Sequence, residues 1–236
     1  MNPFRRLISM AVSMAYPDLC PVCSAALVQG EKCLCLKCLA AMPRTFSHRD
    51  PAAGILSRLA PVCPVKNVAS WFYYDPGGTY SRLIMDAKYN DMPLLALQLG
   101  ELFARELTAD GFFDTIDLIV PVPLHWTRRL ARGYNQSRHI ALGISRVTGI
   151  PLSDNLFARR PHKSQTSFSR ERRLANVRGV FALRHAGVFA GRHILLVDDI
   201  ITSGATMESA LTAIMAATPP ASVSLLSLGL TREHVR

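Results

Sequence analysis

The chain has 236 residues, 49% of them hydrophobic and 19% charged, enough for one well-buried core with a small appendage and too apolar to remain disordered. No run of eighteen or more apolar residues occurs, which argues against a transmembrane helix. The formal charge of +10 is concentrated: between His125 and Arg192, 14 Lys or Arg face two acids, Asp154 and Glu171, a block that favours phosphates, pyrophosphates or nucleic acid over a neutral partner.

At the N-terminus, Arg5-Arg6 precede a short stretch from Leu7 to Ala15 with the outline of a signal peptide. It is only weakly apolar, and Leu7, Met10, Ala11 and Met14 recur at helical spacing, so a short amphipathic helix and a cytoplasmic chain are expected instead. Residues 17 to 43 are rich in cysteine. Cys20-Pro-Val-Cys23 and Cys35-Leu-Lys-Cys38 each grip one ion from a tight turn, and the two pairs complete a tetrahedral thiolate site for Zn²⁺. Disulfides are the alternative, but a ribbon with so few apolar residues needs a metal staple in a reducing compartment. Cys33 competes with Cys35 as third ligand, and Cys35 is favoured because it restores the two-residue spacing to Cys38. With no general acid or base in the ribbon, the zinc is expected to be structural. Cys63 reads as an ordinary buried thiol.

A loop-like stretch carrying Pro51, Gly54, Pro61 and Pro64 puts the domain break near residue 65, with a ribbon domain over 1–65 and a main domain over 66–236. The first strong strand is Ala69 to Tyr74, whose aromatic run is expected in the core, as is Trp126. Asp75-Pro76-Gly77-Gly78 is a turn, followed by helix-period segments at about 79 to 88 and 93 to 109. Ile116 to Val122 is a buried strand closed by prolines, and Gln136 to Thr148 a helix that Asn135 caps and Gly149 stops. His193 to Val197 is a second buried strand, Thr206 to Ala217 a helix, and Val223 to Leu230 a last strand. Near-continuous apolar strands alternating with helices predict an α/β domain with a mostly parallel sheet flanked by helices, whose ligands collect at the strands' carboxyl ends.

At such an end stands Asp198-Asp199, followed by Ile200-Ile201-Thr202-Ser203-Gly204-Ala205-Thr206. Paired carboxylates beside a buried strand are costly unless they meet a cation or hydroxyl donors. The hydroxyls of Thr202, Ser203 and Thr206, with Gly204 letting the backbone approach, form an anion cradle at a helix N-terminus. Diacid and cradle together describe a site for a ribose 5-phosphate.

This segment resembles the signature loop of type I phosphoribosyltransferases. The whole chain, from the paired cysteines through Arg132-Gly133-Tyr134-Asn135-Gln136 to the diacid loop, resembles the ComF/GntX family of competence-related proteins. The resemblance implies a phosphoribosyltransferase-like fold that binds 5-phosphoribosyl-1-pyrophosphate (PRPP) with Mg²⁺. Thr202, Ser203, Gly204, Ala205 and Thr206 would hold the 5-phosphate, and Asp198 and Asp199 the ribose hydroxyls. Val120 to Leu124 resembles the pyrophosphate loop, followed by Arg128, Arg129 and Arg132. The segment from Lys163 through Arg170 and Arg173 to Gly179 resembles a mobile hood over the pyrophosphate. Tyr134 with its basic neighbours would stack a base or a ribose, whether of an acceptor or of a single strand. Two functions follow: transfer of phosphoribose to an acceptor salvaged from DNA, or handling of single-stranded DNA with the pocket as sensor or anchor. Other DNA-uptake proteins are implied as partners, and a location in the cytoplasm or peripheral at the inner membrane.

Overall fold

The computed structural model describes residues 18–50, 59, 62–89, 92–159 and 179–232, with the side chains of Tyr89, Arg128, Arg129, Ala131 and Ala186 excepted. The N-terminal helix expected at Leu7 to Ala15 and the hood residues Lys163, Arg170 and Arg173 lie outside the described residues. The chain forms two compact units, Met1–Met42 and Pro43–Arg236.

The division falls ahead of the proline-rich stretch at which the sequence suggests a break, because residues 43–49 pack along the edge of the larger unit's sheet. Tyr73 N donates to Pro43 O at 2.9 Å and Thr45 N to Trp71 O at 3.1 Å, so this segment lies along strand β1 (Val65–Tyr74). Arg44 forks onto Glu106 at 2.7 and 3.0 Å, and the same carboxylate accepts from the Trp71 indole at 3.0 Å.

The larger unit is built on four parallel strands in the order β1-β6-β5-β2, with β2 Leu118–Pro121, β5 His193–Ile201 and β6 Ser222–Thr231. Along β5, Ile194, Leu195, Leu196 and Val197 are all fully buried, so both faces of the sheet are covered. On one face Leu196, Val120, Leu225 and Val68 join Met207, Leu211 and Ile214 of helix α6 (Ala205–Ala217) in a single core. A short antiparallel pair, β3 (Leu156–Ala158) and β4 (Phe181–Leu183), adds Leu156 and Phe181 to it. Helices α3 (Pro93–Ala109) and α5 (Gln136–Thr148) add nothing to that core and pack on each other and on β2, β5 and β6. Helices α2 (Ser81–Tyr89) and α4 (Trp126–Arg132) are shorter.

Where α3 crosses α5 the backbones touch. A Cβ at Gly100 would overlap the carbonyl of Ile140, and one at Gly143 the carbonyl of Leu97. This close approach seats α5 firmly, and α5 begins at the carboxyl end of the sheet where the diacid stands.

Candidate functional site

In the smaller unit, Cys20 N donates to Ala25 O at 2.8 Å and Ser24 N to Cys20 O at 2.7 Å, closing a tight turn with Ser24 at φ 59°. Glu31 accepts from Val28 N and Leu36 N at 2.9 and 2.7 Å, fixing the start of helix α1 (Leu36–Ala40). Cys35 precedes that helix, and its sulfur accepts from Cys38 N at 3.4 Å. The Sγ atoms of Cys20, Cys23, Cys35 and Cys38 all lie within 4.8 Å of one another. Cys23 and Cys35 are 3.7 Å apart, against ~3.8 Å for the edge of a tetrahedron of ~2.3 Å zinc–sulfur bonds. The donor set therefore fits a zinc-like ion, with Cys35 and not Cys33 in the group. Burial opposes ionisation of Cys20, but the amides of Cys35, Cys23 and Val22 outweigh it and bring the thiol down to about 7, toward the ligating thiolate. Cys38 is pushed up, first by burial and then by its neighbouring thiols, as expected of four sulfurs that need a cation between them. Cys63 is a buried thiol raised by desolvation to about 11.

In the larger unit, β5 does not stop before the acids. Its ladder to β6 continues through Asp198↔Ser227 and Ile200↔Gly229, so both carboxylates stand on the strand near its carboxyl end. Asp198 Oδ1 accepts from the Ser137 hydroxyl at 2.8 Å and from Asp199 N at 2.9 Å. Shielding from water, and next the charge of Asp199, push Asp198 up to about 7, against the pull of Ser137, the Asp199 amide and Lys88. Asp199 Oδ2 forms an ion pair with Lys88 Nζ at 2.9 Å. The chain then bends over Thr202 and Ser203, turns left-handed at Gly204 (φ 77°) and enters α6. The first amides of a helix have no intrahelical acceptor, and the turn leading into α6 carries hydroxyl residues, Thr202 exposed and Ser203 and Thr206 half-buried.

The Arg132–Gln136 motif acts at this site through the backbone. Tyr134 is buried, donates its hydroxyl to Ala87 O, and sets its ring edge-on to His139 at 4.9 Å, so the exposed stacking platform suggested by its basic neighbours is not formed. Asn135 occupies the cap position of α5 without a side-chain cap bond; its amide donates to Val122 O at 3.0 Å instead. Gln136 Nε2 reaches Lys88 O at 3.5 Å, and Ser137 follows with its bond to Asp198. Four successive side chains thus tie α2, the end of β2 and the diacid to the start of α5.

Of the other expected residues, Arg128, Arg129 and Arg132 lie on α4, which follows the pyrophosphate-loop candidate directly, and Arg132 is half-buried. Trp126 is 63% exposed, which overturns its expected place in the core: α4 is a short surface helix that also turns Leu130 outward. Lys88 and Ser137 escape a reading of the sequence alone. A lysine in the last turn of an amphipathic helix looks like a dipole partner, and a serine one residue into a helix looks like solvent-facing filler.

A family model for the phosphoribosyl transferase domain matches residues 130–228, from the end of α4 into β6. The DNA utilization protein YhgH of Escherichia coli K12 is 30% identical over 208 residues, covering 85% of this chain and 86% of that one. Competence protein F of Haemophilus influenzae is 37% identical over 94 residues, 39% of this chain and 41% of that one. A solved glutamine phosphoribosylpyrophosphate amidotransferase from B. subtilis aligns with a TM-score of 0.41 at 20% identity, over 61% of this chain and 30% of that one. Likeness along nearly the whole of the E. coli relative, with the transferase domain falling on this sheet and loop, shows that the chain belongs to the ComF family of competence-related proteins with a type I phosphoribosyltransferase fold.

Proposed function

We propose that the diacid loop binds PRPP together with Mg²⁺ and transfers its phosphoribosyl group to an acceptor during the use of imported DNA. One observation carries this reading: two carboxylates, a turn rich in hydroxyl residues and a helix N-terminus follow one another at the carboxyl end of β5. Thr202 to Thr206 hold the 5-phosphate, while Asp198 and Asp199 hold the ribose hydroxyls and stabilise positive charge as it develops at C1. The C1–O bond to pyrophosphate breaks and pyrophosphate leaves with the electron pair, while the lone pair of an acceptor nitrogen forms the new bond to C1 and that nitrogen gives up its N–H proton to pyrophosphate or solvent. Mg²⁺, when bound, neutralises the departing pyrophosphate; the chain's oxygen donors toward it are the carboxylates of Asp198 and Asp199. The basic stretch around Arg128, Arg129, Arg132, Lys163, Arg170 and Arg173 draws the polyanion in. The names of the relatives in E. coli and H. influenzae, DNA utilization and competence, support the setting, with a nucleobase or related nitrogen compound as acceptor and other DNA-uptake proteins as neighbours. Among the described residues no helix is long and apolar enough to cross a membrane, and the proposed work lies in the cytoplasm or at the inner face of the inner membrane. The thiol cluster holds zinc in a structural role.

Calorimetric titration of the full chain with PRPP and Mg²⁺ tests the reading. Saturable binding is expected in the native protein and its loss in Asp198→Asn/Asp199→Asn; a native protein that ignores millimolar ligand overturns it. A second reading, a non-catalytic factor for single-stranded DNA, has its own support: the guanidinium groups of the exposed Arg159 and Arg184 lie 5.8 and 5.9 Å from the ring of Phe157, an aromatic and basic surface of the kind that stacks bases. Release of pyrophosphate on addition of an acceptor favours the enzyme; oligonucleotide binding without turnover favours the factor.

A further inference from the structure

The diacid does not stand open. Lys88 Nζ lies 2.9 Å from Asp199 Oδ2, the two side chains only 16% and 15% exposed, and Asp198 Oδ1 is shared between a hydroxyl and an amide. A metal ion or sugar hydroxyl approaching Asp199 therefore meets an ammonium already in contact. Nor is the lysine merely a long side chain that happens to reach. The carbonyl before it accepts the buried Tyr134 hydroxyl, its own carbonyl accepts from Gln136, and the next residue on α5, Ser137, bonds the second carboxylate. One stretch of backbone thus fixes the lysine and the diacid against each other, and spends three side chains on doing so.

We propose that Lys88 is the resident counter-ion of the diacid. In the sugar-free protein it holds the cation position at Asp199 and keeps free divalent metal off the carboxylates. It yields only to a ligand that offers hydroxyls to Asp199 and a polyanion to the released ammonium. This rests on the reading of the diacid as the sugar site. The metal then arrives with the pyrophosphate and not before it. Ribose 5-phosphate, which brings hydroxyls but no second anion for the ammonium, is discriminated against, which makes Lys88 a selectivity residue for the 1-pyrophosphate.

The test uses Mn²⁺ alone, titrated into full-length, zinc-loaded, sugar-free protein and followed by loss of the free-ion electron paramagnetic resonance signal. Lys88→Met is expected to bind Mn²⁺ tighter than the native protein by about tenfold or more, the scale on which an opposite charge changes the behaviour of a nearby carboxylate. Lys88→Arg should resemble the native protein, and Asp199→Asn on top of Lys88→Met should cancel the gain. Equal Mn²⁺ affinity in native and Lys88→Met proteins with matching circular dichroism overturns the proposal. Should Lys88→Met fail to fold, Tyr134→Phe loosens the same anchor; a rise in Mn²⁺ affinity supports the proposal and no change overturns it. Titration of the native protein with PRPP and Mg²⁺ in parallel separates the two ideas: absence of sugar binding removes the sugar site, whereas the Mn²⁺ comparison judges the counter-ion on its own.

Discussion

A carboxyl group held up at about 7 keeps its proton in the folded chain while the unfolded chain, with an ordinary aspartate near ~3.9, has already released it. Folding therefore takes up a proton between pH ~4 and about 7, and native stability falls as pH rises through that window and levels off above it. Asp198→Asn cannot ionise and still offers Ser137 an acceptor. It is expected to be more stable than the native protein at pH 8 by about 1–2 kcal/mol, a figure discounted for the carboxyl's partial exposure, and to lose that advantage near pH 4. Urea melts at the two pH values measure this, and a difference independent of pH refutes it. The same variant should bind PRPP less well, the usual exchange of stability against function at a site. Residue chemistry also separates the two neighbouring cysteines. If the four-cysteine cluster holds the proposed zinc, Cys35→Ser should lose it, whereas Cys33→Ser should retain it, as elemental analysis of purified protein would show.

Elements were readable from the sequence where their signals are local. The Gln136–Thr148 helix has the bounds its apolar period and its Gly149 stop predict, and the cysteine pairs have the spacing one tetrahedral ion imposes. Elements that depend on a distant partner were not. Asp198-Asp199 reads as the end of a strand because acids disfavour one, yet pairing with Ser227 and Gly229 carries β5 on to Ile201. Residues 43–49 read as linker, since nothing local announces that β1 will accept them along its edge. The contact between α3 and α5 belongs to the same class: two glycines mid-helix look like weak points until the facing carbonyls are known. Gly143→Ala should destabilise the larger unit by about 1–3 kcal/mol in urea melts, despite the better helix propensity of alanine, because backbone and not a flexible side chain must give way. It should also weaken sugar binding, since α5 carries Gln136 and Ser137. A stabilised Gly143→Ala protein would mean that the helices part without cost.

At the scale of the whole molecule, the charge of +10 is a surplus confined to the stretch between His125 and Arg192, with 14 basic residues against two acids. That stretch contains α4, the clamp on the diacid and the Arg159–Phe157–Arg184 cluster, so any polyanion the chain attracts is brought to the side-chain groups that both functional readings use. A sugar and a strand differ in how many phosphates they present. For a single strand, the logarithm of affinity falls with that of salt at a slope of about −0.7 per phosphate neutralised, so a strand held through about four phosphates weakens roughly 50-fold between 50 and 200 mM salt. PRPP, which on the proposed reading is held by amides, hydroxyls and carboxylates as well as by cations, should lose much less over the same range. Fluorescence anisotropy of an oligothymidylate, repeated with saturating PRPP and Mg²⁺, decides how the two ligands are related. If the strand lies on the Arg159–Phe157–Arg184 cluster alone, the sugar leaves its affinity unchanged. If both share the arginines of α4, the sugar displaces the strand, and the salt slope of the remaining binding falls with the number of cations surrendered.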